Sequence, residues 1–449
     1  MKNYGLIIIM FILVFVAGCN SNHESSAENP SPTDDDSADD ADNAPVICDD
    51  HFLPIVFVHG FIEEGDAFST QTMRFSSNGY CQDRIHAFDW NTLKYDNTEK
   101  DRLAKFIDAV LDKDYAARVN LIGHSMGGDL SFQYIADPAN AAKVAHYAHV
   151  ASFEYDKIPN GVPTINLSSY GDKIVGPTTI PGAENIVFDD KDHLQMITSA
   201  ESFAAMYRFF NDGETPQTTD IFSEENIELS GRTVAFAIND PAPQMEIRIY
   251  EVDPATGERF SQVPNGVFIA DVDGYWGPFA AKHGAYYEFV CLDPETFWPP
   301  LHYYREPFLR SNNKVYFRVF PKPNSFLGFA FRFLPLNDSR AIFAWLNINQ
   351  SVMVGRDTFY VNGINLSTTE MADPSITTLV VFFFDANFNG KSDQTPAGGI
   401  YTLIPFVRFF DLLIGTQEKQ PISFEFNGRE MAIPNWKSRS EGLSIAVFE

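Results

Sequence analysis

The sequence predicts an α/β domain followed by an all-β region, and two observations carry this prediction. From residue 52 to 212, short apolar runs alternate with segments of helical spacing, which is typical of a parallel sheet covered by helices on both faces. Beyond residue 220, apolar runs alternate with turns rich in Pro, Gly, Asn and Asp, which is typical of a sandwich or jelly roll. A polar, turn-forming stretch at residues 212–217 separates the two parts.

The α/β part follows from its elements in order. Apolar runs predict strands at residues 54–58, 84–90, 119–122, 144–153, 164–168 and 185–188. Helical spacing predicts helices around residues 103–111, 126–136 and 199–211. Only about ten residues separate Phe153 from the strand that starts at Thr164, so no cap domain fits between them. Residues 61–80 could form a small lid at most.

Composition divides the rest of the chain. After residue 220, strands are predicted at residues 233–238, 245–252, 286–291, 314–320, 358–361 and 377–384. The predicted segments are a signal peptide at 1–19, a disordered acidic tether at 20–44, a catalytic domain at 45–213, and β-domains at 220–308 and 309–449. The seam between the two β-domains is expected near residues 305–312.

The N-terminus is typical of an export signal. Lys2 precedes the apolar run Leu6–Val16, which is short for a membrane span. The stretch Val16-Ala17-Gly18-Cys19 resembles the bacterial lipobox, which implies acylation of Cys19 and a lipoprotein anchored in a bacterial membrane. Asn20 after the cysteine favours the outer membrane of a Gram-negative cell. The alternative is an ordinary signal peptide that happens to carry a cysteine.

Export also makes a disulfide feasible. Cys48 and Cys81 each precede an apolar strand by a few residues, so neighbouring parallel strands would bring both to one sheet edge. A Cys48–Cys81 bond and two buried free thiols both remain open. Cys291 stands alone and is expected to serve packing.

The strongest chemical signal is Gly123-His124-Ser125-Met126-Gly127. It matches G-x-S-x-G, follows an apolar strand and precedes a helical segment, which is the setting of the nucleophile in the α/β-hydrolase fold. The glycines are needed because the serine sits on a strained strand-to-helix turn. The sequence therefore predicts Ser125 as a nucleophile in a minimal α/β-hydrolase domain without a cap.

Chain order predicts the partners of Ser125, because the acid and then the histidine follow the serine in this fold. Of the histidines between Ser125 and the β-region, His146 and His149 fall within a strand. His193 lies on a loop between the last strand and the last helix, and we predict it as the general base. Asp172 follows the strand at residues 164–168 and is the predicted acid that orients His193. Rival carboxylates lie at Asp156, Asp189, Asp190 and Asp192.

The first strand ends at His59-Gly60-Phe61. In concert with the serine turn, the backbone N–H groups of Phe61 and Met126 are predicted to form an oxyanion hole. The alternative is that Gly60 only makes a turn.

These motifs together resemble bacterial and archaeal lipases. Gly65-Asp66-Ala67-Phe68, the stretch from Arg74 to Tyr80 and the stretch from Ala142 to Tyr147 resemble more closely a group of two-part lipases, in which a minimal α/β-hydrolase precedes C-terminal β-domains. The resemblance is good over residues 52–212 and looser beyond. It implies a carboxylester hydrolase acting on lipids, acylglycerols foremost, with β-domains that help to handle long acyl chains. The lipobox and the acidic tether depart from the group.

Several alternatives concern the partners of the chain. An esterase for short esters or polyesters is the first, and a surface lipoprotein that binds lipid or glycan without catalysis is the second. A net charge of −28 without any basic cluster argues against nucleic acid. Aromatic stretches that could contact an acyl chain lie at residues 275–276, 297–301 and 405–410.

No cofactor is expected to be required. Asp385, Asn387, Asn389 and Asp393 alternate as in a calcium loop around Gly390, which suggests a structural calcium ion. The loop lacks a glutamate at the twelfth position, and a plain Asn/Gly turn is the simpler interpretation.

Overall fold

In the computed structural model, the structure is described for residues 48–449 apart from 296, 323–324, 326–327, 329–330, 333 and 399–405. The predicted signal peptide with Cys19 and the whole of the predicted tether lie outside these described residues. Within the described part, no helix is long and apolar enough to cross a membrane.

The first part is a six-stranded parallel sheet in the order β2-β1-β3-β4-β5-β6. Its strands are β1 (Ile55–Val58), β2 (Ile85–Phe88), β3 (Val119–His124), β4 (Val144–Val150), β5 (Thr164–Ser169) and β6 (Glu184–Phe188). The helices are α1 (Ser69–Ser77), α2 (Asn97–Lys113), α3 (Met126–Ile135), α4 (Pro138–Ala141), α5 (Gln195–Thr198) and α6 (Ala200–Phe210). The predicted α/β class is confirmed.

Both faces of the parallel sheet are buried, which explains its continuous apolar strands. One face packs Ile55 and Phe57 against Phe203 and Met206 of α6. The opposite face packs Val56 and Val58 against side chains of α2 and α3.

The segment at residues 61–80, where the sequence allowed a small lid, is part of the core. It contains the 3-10 turn Gly65–Phe68 and helix α1. Phe68 stacks on Phe57 at a ring distance of 4.2 Å, and Phe75 packs edge-on against Phe203. Because these side chains fill the space beside the sheet, we expect residues 61–80 to keep this position during turnover rather than to open and close as a lid.

The second part consists of three sheets. Its strands are β7 (Asn226–Ala235), β8 (Glu246–Val252), β9 (Gly266–Ile269), β10 (Tyr275–Lys282), β11 (Tyr286–Leu292), β12 (Leu301–Arg305), β13 (Asn312–Val319), β14 (Phe343–Asn347), β15 (Phe359–Val361), β16 (Ile364–Asn365), β17 (Val380–Phe384), β18 (Val407–Asp411), β19 (Pro421–Phe426), β20 (Arg429–Pro434) and β21 (Leu443–Phe448). A short helix, α7, spans Thr369–Ala372. The sheet orders are β10-β7-β13, β18-β17-β14-β21-β12-β11-β8-β9 and β16-β15-β19-β20.

The eight-stranded sheet is sandwiched between the other two. On β14, Leu346 faces a core shared with the three-stranded sheet, whereas Phe343 and Trp345 face a core shared with the four-stranded sheet. Strands on either side of residue 308 share sheets, since β13 pairs with β7 and β12 pairs with β21. The predicted boundary between two β-domains is therefore crossed by both pairings, because each one joins a strand before the boundary to a strand after it.

Buried ion pairs join the two parts. Arg318 of β13 donates to both carboxylate oxygens of Asp66, over 2.9 and 2.7 Å, and to Glu64 over 2.8 Å. Asp89, which follows β2, accepts from Arg232 and from the Tyr316 hydroxyl. These pairs are shielded from solvent, so they are screened far less than surface pairs.

Cys48 and Cys81 are joined in a disulfide, and Cys291 is a buried free thiol. The bond closes a loop over a sequence separation of 33 residues, which contains β1 and α1. It therefore ties the segment before β1 to the segment before β2.

We predict that the double variant Cys48→Ser/Cys81→Ser loses about 2–4 kcal/mol of unfolding free energy, because a loop of this length is no longer restrained in the unfolded chain. Urea unfolding of oxidised protein measures the loss. A reducing agent should destabilise the wild type by a similar amount and leave the double variant unchanged. Equal stability of all four samples would contradict the prediction.

Candidate active site

Ser125 occupies a strained turn between β3 and α3. Its backbone angles are φ 53° and ψ −123°, outside the regions that non-glycine residues favour. The flanking glycines permit this turn. A Cβ atom on Gly123 would lie 2.7 Å from the carbonyl oxygen of Gly127, and one on Gly127 would lie 2.2 Å from the carbonyl oxygen of Val58. The G-x-S-x-G pattern is thus explained by steric contacts.

Asp172 and His193 meet at the same edge of the sheet. Asp172 follows β5, His193 follows β6, and both side chains are buried. The Nδ1 atom of His193 lies 2.8 Å from Oδ2 of Asp172. The other carboxylate oxygen accepts from the backbone N–H groups of Ile174 and Val175. With Asp172 holding Nδ1, the Nε2 atom of His193 is the nitrogen left for proton transfer.

The two side chains shift each other's pKa. Burial alone would lower the pKa of His193, but the charge and hydrogen bond of Asp172 outweigh burial, so the pKa is raised above 6.5. Burial would raise the pKa of Asp172, but His193 and two backbone N–H groups lower it overall. The pair therefore favours a carboxylate beside a histidine that accepts a proton readily.

The rival carboxylates have other surroundings. Asp156, Asp189 and Asp190 are exposed. Asp192 caps α5 and forms an ion pair with Arg356 over 2.8 Å. Since Arg356 lies in the β-region, that region holds the loop that carries His193.

The candidate oxyanion donor Phe61 lies on the loop after β1, directly after Gly60. The Nδ1–H of His59 donates to the Gly60 carbonyl oxygen over 2.9 Å. Because a trans peptide points its N–H opposite to its carbonyl, this bond fixes the direction of the Phe61 N–H. Within the described part of the chain, neither the Phe61 nor the Met126 N–H has a hydrogen-bond partner. Both groups are therefore free to donate to a ligand.

Four further side chains hold this arrangement, and none of their roles is predicted from the sequence. They are Glu63, His124, Asn239 and Arg356. Asn239, on the loop after β7, donates to the backbone carbonyl oxygen of Glu63 over 2.7 Å and contacts Nε2 of His59. His124 lies inside the serine motif and could have been suspected there. No sequence spacing points to Asn239 or Arg356, because both are far from the catalytic segment along the chain.

The loop proposed for calcium is occupied by its own hydrogen bonds. Asp385 accepts from the N–H groups of Asn389 and Gly390 and pairs with Arg340. The side-chain amides of Asn387 and Asn389 both donate to Asp393. Across residues 48–449, where described, no group of three or more His, Cys, Asp or Glu side chains is arranged to hold a metal ion. Nothing in this geometry strengthens the calcium prediction over the Asn/Gly turn.

Comparisons with known proteins match both parts of the chain. Residues 53–143 match the class 2 lipases, and residues 225–321 match a lipase C-terminal domain. The second match spans β7 to β13, across the seam predicted near residues 305–312.

Solved structures resemble the chain only distantly. An esterase from Rhodococcus is 12% identical with a TM-score of 0.31, covering 38% of this chain and 94% of its own. Naproxen esterase from Bacillus subtilis is 15% identical with a TM-score of 0.29, covering 37% and 86%. A membrane phospholipase A, described as a bacterial virulence factor, is 15% identical with a TM-score of 0.30, covering 37% and 81%. Scores this low do not bear on substrate.

The two family matches agree with the architecture described above. The class 2 lipase segment covers β1 to the end of β3 and the serine turn, and the C-terminal match covers the first strands of the β-region. The chain is thus similar to a class 2 lipase over one segment and to a lipase C-terminal domain over another, which is consistent with a two-domain lipase. Its α/β-hydrolase domain, followed by β-sheets, is that of a carboxylic ester hydrolase.

Proposed function

We propose that the protein cleaves acyl esters of lipids, acylglycerols foremost, through a Ser125–His193–Asp172 triad and an acyl-enzyme. The observation that carries the proposal is the buried 2.8 Å hydrogen bond between His193 and Asp172 at the sheet edge where the strained Ser125 turn lies. A histidine held in this way through Nδ1 presents Nε2 as a base.

In the proposed acylation step, the hydroxyl oxygen of Ser125 attacks the ester carbonyl carbon while Nε2 of His193 takes the proton. The carbonyl oxygen becomes an oxyanion, which the N–H groups of Phe61 and Met126 stabilise. The imidazolium of His193 then protonates the departing alcohol. Asp172 keeps its negative charge and stabilises the imidazolium throughout.

Deacylation repeats the sequence with water as the nucleophile. His193 takes a proton from water, the hydroxide attacks the acyl carbon, and the serine leaves with the proton that His193 returns. The fatty acid and the free enzyme result. No metal or organic cofactor enters these steps.

The surroundings of the site favour an apolar acyl group. Three exposed apolar side chains lie on loops at the carboxyl edge of the sheet: Leu93 after β2, Phe153 after β4 and Tyr170 after β5. Phe406, from the β-region, contacts Phe61 edge-on at a ring distance of 6.3 Å. Of the aromatic stretches suggested by the sequence, the one at residues 405–410 thus reaches the oxyanion loop, although Pro405 lies outside the described residues. Trp276 is instead buried between Phe289 and Phe317.

Two alternative functions make different predictions. An esterase for short esters or polyesters would use the same triad but gain nothing from Phe406. A surface lipoprotein that binds lipid or glycan without catalysis would not depend on Ser125 at all. The setting of the Asp172–His193 pair argues for catalysis, because it lies at the sheet edge of the strained Ser125 turn and follows the serine in the order that the fold requires.

We further propose that the protein is anchored in a bacterial membrane through a lipid on Cys19. The support is the sequence Val16-Ala17-Gly18-Cys19 behind an apolar run. The polar, acidic residues 20–44 would act as a tether between the anchor and the folded part.

Ser125→Ala and His193→Ala should each lower kcat for p-nitrophenyl butyrate by about 10⁵–10⁶-fold, because the two residues act as a unit. Asp172→Asn should lower kcat by about 10³–10⁴-fold. Circular dichroism and thermal unfolding check that each variant folds. Turnover by folded Ser125→Ala would overturn the proposed mechanism and favour the binding alternative.

The pH dependence of kcat/KM tests Asp172 separately. His193 must be neutral to act as a base, so activity falls as pH drops through its pKa, which is raised above 6.5. Asp172→Asn removes the main influence that raises this pKa, so the acidic limb should move to lower pH in the residual activity. An unmoved limb would mean that another group orients His193.

Phe406→Ala should lower the ratio of decanoate to butyrate hydrolysis, by about fourfold for each acyl carbon that loses contact with the ring. Phe388→Ala is the matched control, because Phe388 is an exposed phenylalanine of the β-region on the loop at residues 385–393. A point variant is preferable to removal of residues 220–449, which would leave Asp66 and Asp89 without their arginine partners. An unchanged ratio in Phe406→Ala would favour the short-chain alternative.

Cys19→Ala should release the protein from the membrane fraction into the soluble fraction with unchanged kcat, since the tether separates the anchor from the fold. Metabolic labelling with palmitate should mark the wild type and not the variant. Equal labelling of both would refute the anchor.

A further inference from the structure

The side chain of Glu63 is buried beside the catalytic serine turn, yet none of the proposed steps uses it. Its Oε2 atom accepts the N–H of Gly60 over 2.6 Å and lies 2.8 Å from Nδ1 of His124. Its backbone carbonyl accepts from Asn239 over 2.7 Å. The carboxylate of Glu63 is thus held by its own loop and by the end of β3, and the β-region holds the backbone of the same residue.

His124 connects Glu63 to the loop of the general base. Its Nε2 atom lies 3.0 Å from the carbonyl oxygen of His193, and the two rings are 4.6 Å apart. A carbonyl oxygen only accepts hydrogen bonds, so Nε2 of His124 must carry a hydrogen. Its Nδ1 atom faces the carboxylate of Glu63, so both ring nitrogens of His124 have a partner.

The pKa of Glu63 agrees with this contact to His124. Burial would raise the pKa of Glu63, but the charge and hydrogen bond of His124 outweigh it and lower the pKa to about 2. Glu63 is therefore a carboxylate throughout the pH range in which a histidine base works. Its position also explains Gly60, where a Cβ atom would lie 2.9 Å from Oε2 of Glu63 and 2.9 Å from Cβ of Ser125.

We propose that Glu63 is a positioning residue of the hydrolysis reaction, acting through His124 to hold the oxyanion loop and the His193 loop in fixed relation to Ser125. The inference rests on the triad mechanism proposed above. Glu63 accepts from the N–H of Gly60, the residue before Phe61. His124 contacts the backbone carbonyl oxygen of His193, the general base. An error of about 1 Å in such a relation can cost about 10²-fold in rate.

Another buried Glu–His pair can serve as a control, although its glutamate, Glu288, also accepts from Arg259 and Tyr304. Glu288 lies 2.6 Å from Nδ1 of His302, whose Nε2 faces the carbonyl oxygen of Glu441 over 2.8 Å. Glu288 and His302 are buried in the β-region on β11 and β12, and neither contacts the serine turn. Loss of this pair should lower stability without altering the chemistry.

The experiment compares Glu63→Gln with Glu288→Gln in the full-length protein. The readouts are kcat and KM for p-nitrophenyl butyrate, the inhibition constant of an alkylboronic acid that mimics the tetrahedral intermediate, and the thermal midpoint. Glu63→Gln should lower kcat by about 10–100-fold and leave KM within about twofold. The inhibition constant of the boronic acid should rise by a factor similar to the loss of kcat. Glu288→Gln should change only the thermal midpoint.

Folded Glu63→Gln with kcat and inhibition within about twofold of the wild type would overturn the inference. So would equal losses of kcat in Glu63→Gln and Glu288→Gln, which would show a general effect of lost stability. Should Glu63→Gln not fold, Glu63→Gln/His124→Gln takes its place with the same expectations, because it leaves no unpaired charge. Ser125→Ala separates the two proposals: inactive Ser125→Ala with fully active Glu63→Gln refutes only the positioning role, whereas active Ser125→Ala refutes both.

Discussion

The candidate site depends on a largely buried guanidinium, that of Arg318, which holds the loop after β1 from the side of the β-region. Arg318 contacts Asp66 through two hydrogen bonds and Glu64 through a third. Burial raises the pKa of Glu64 despite this contact, whereas Asp66 accepts from both nitrogens of the guanidinium, the geometry of the stronger pairing. Removing one partner of such a pair typically costs about 3–5 kcal/mol, since a buried charge is left alone. The loop therefore has little freedom to relax.

This constraint makes the β-region part of the catalytic architecture. Asn239 holds the oxyanion loop, and Arg356 holds Asp192 beside the histidine base. The α/β-hydrolase domain has no cap that could stabilise these loops from above. In this protein, the sheets that follow the catalytic domain supply that support through polar contacts, and Phe406 adds an apolar contact to Phe61.

Much of this could be predicted from the sequence because it depends on local patterns. Ser125 is identified by glycines that the turn requires, and Asp172 and His193 by their positions after successive strands. The α/β class and the β-rich second part were also predictable from the periodicity of apolar residues. Helix α1 was not, because Ser69–Ser77 has mostly small polar residues and is held by contacts with the β-region rather than by its own propensity.

The remaining site residues depend on long-range contacts. Glu63 looks like one more acidic residue in an acidic chain, and only the approach of His124 distinguishes it. Asn239 and Arg318 act across more than 170 residues of sequence, as the 176-residue separation from Asn239 to Glu63 illustrates. A single sequence carries no signal for such a contact, since neither periodicity nor motif spacing extends that far.

The position of β21 in the eight-stranded sheet has a consequence for biosynthesis. Although β21 follows the other strands of the sheet along the chain, it lies between β14 and β12 and pairs in parallel with both. During synthesis on the ribosome, the strands on the two sides of β21 cannot join into one sheet until residues 443–448 emerge. The eight-stranded sheet can therefore close only once the chain has been made through residue 448, so its two halves expose unpaired strand edges until then.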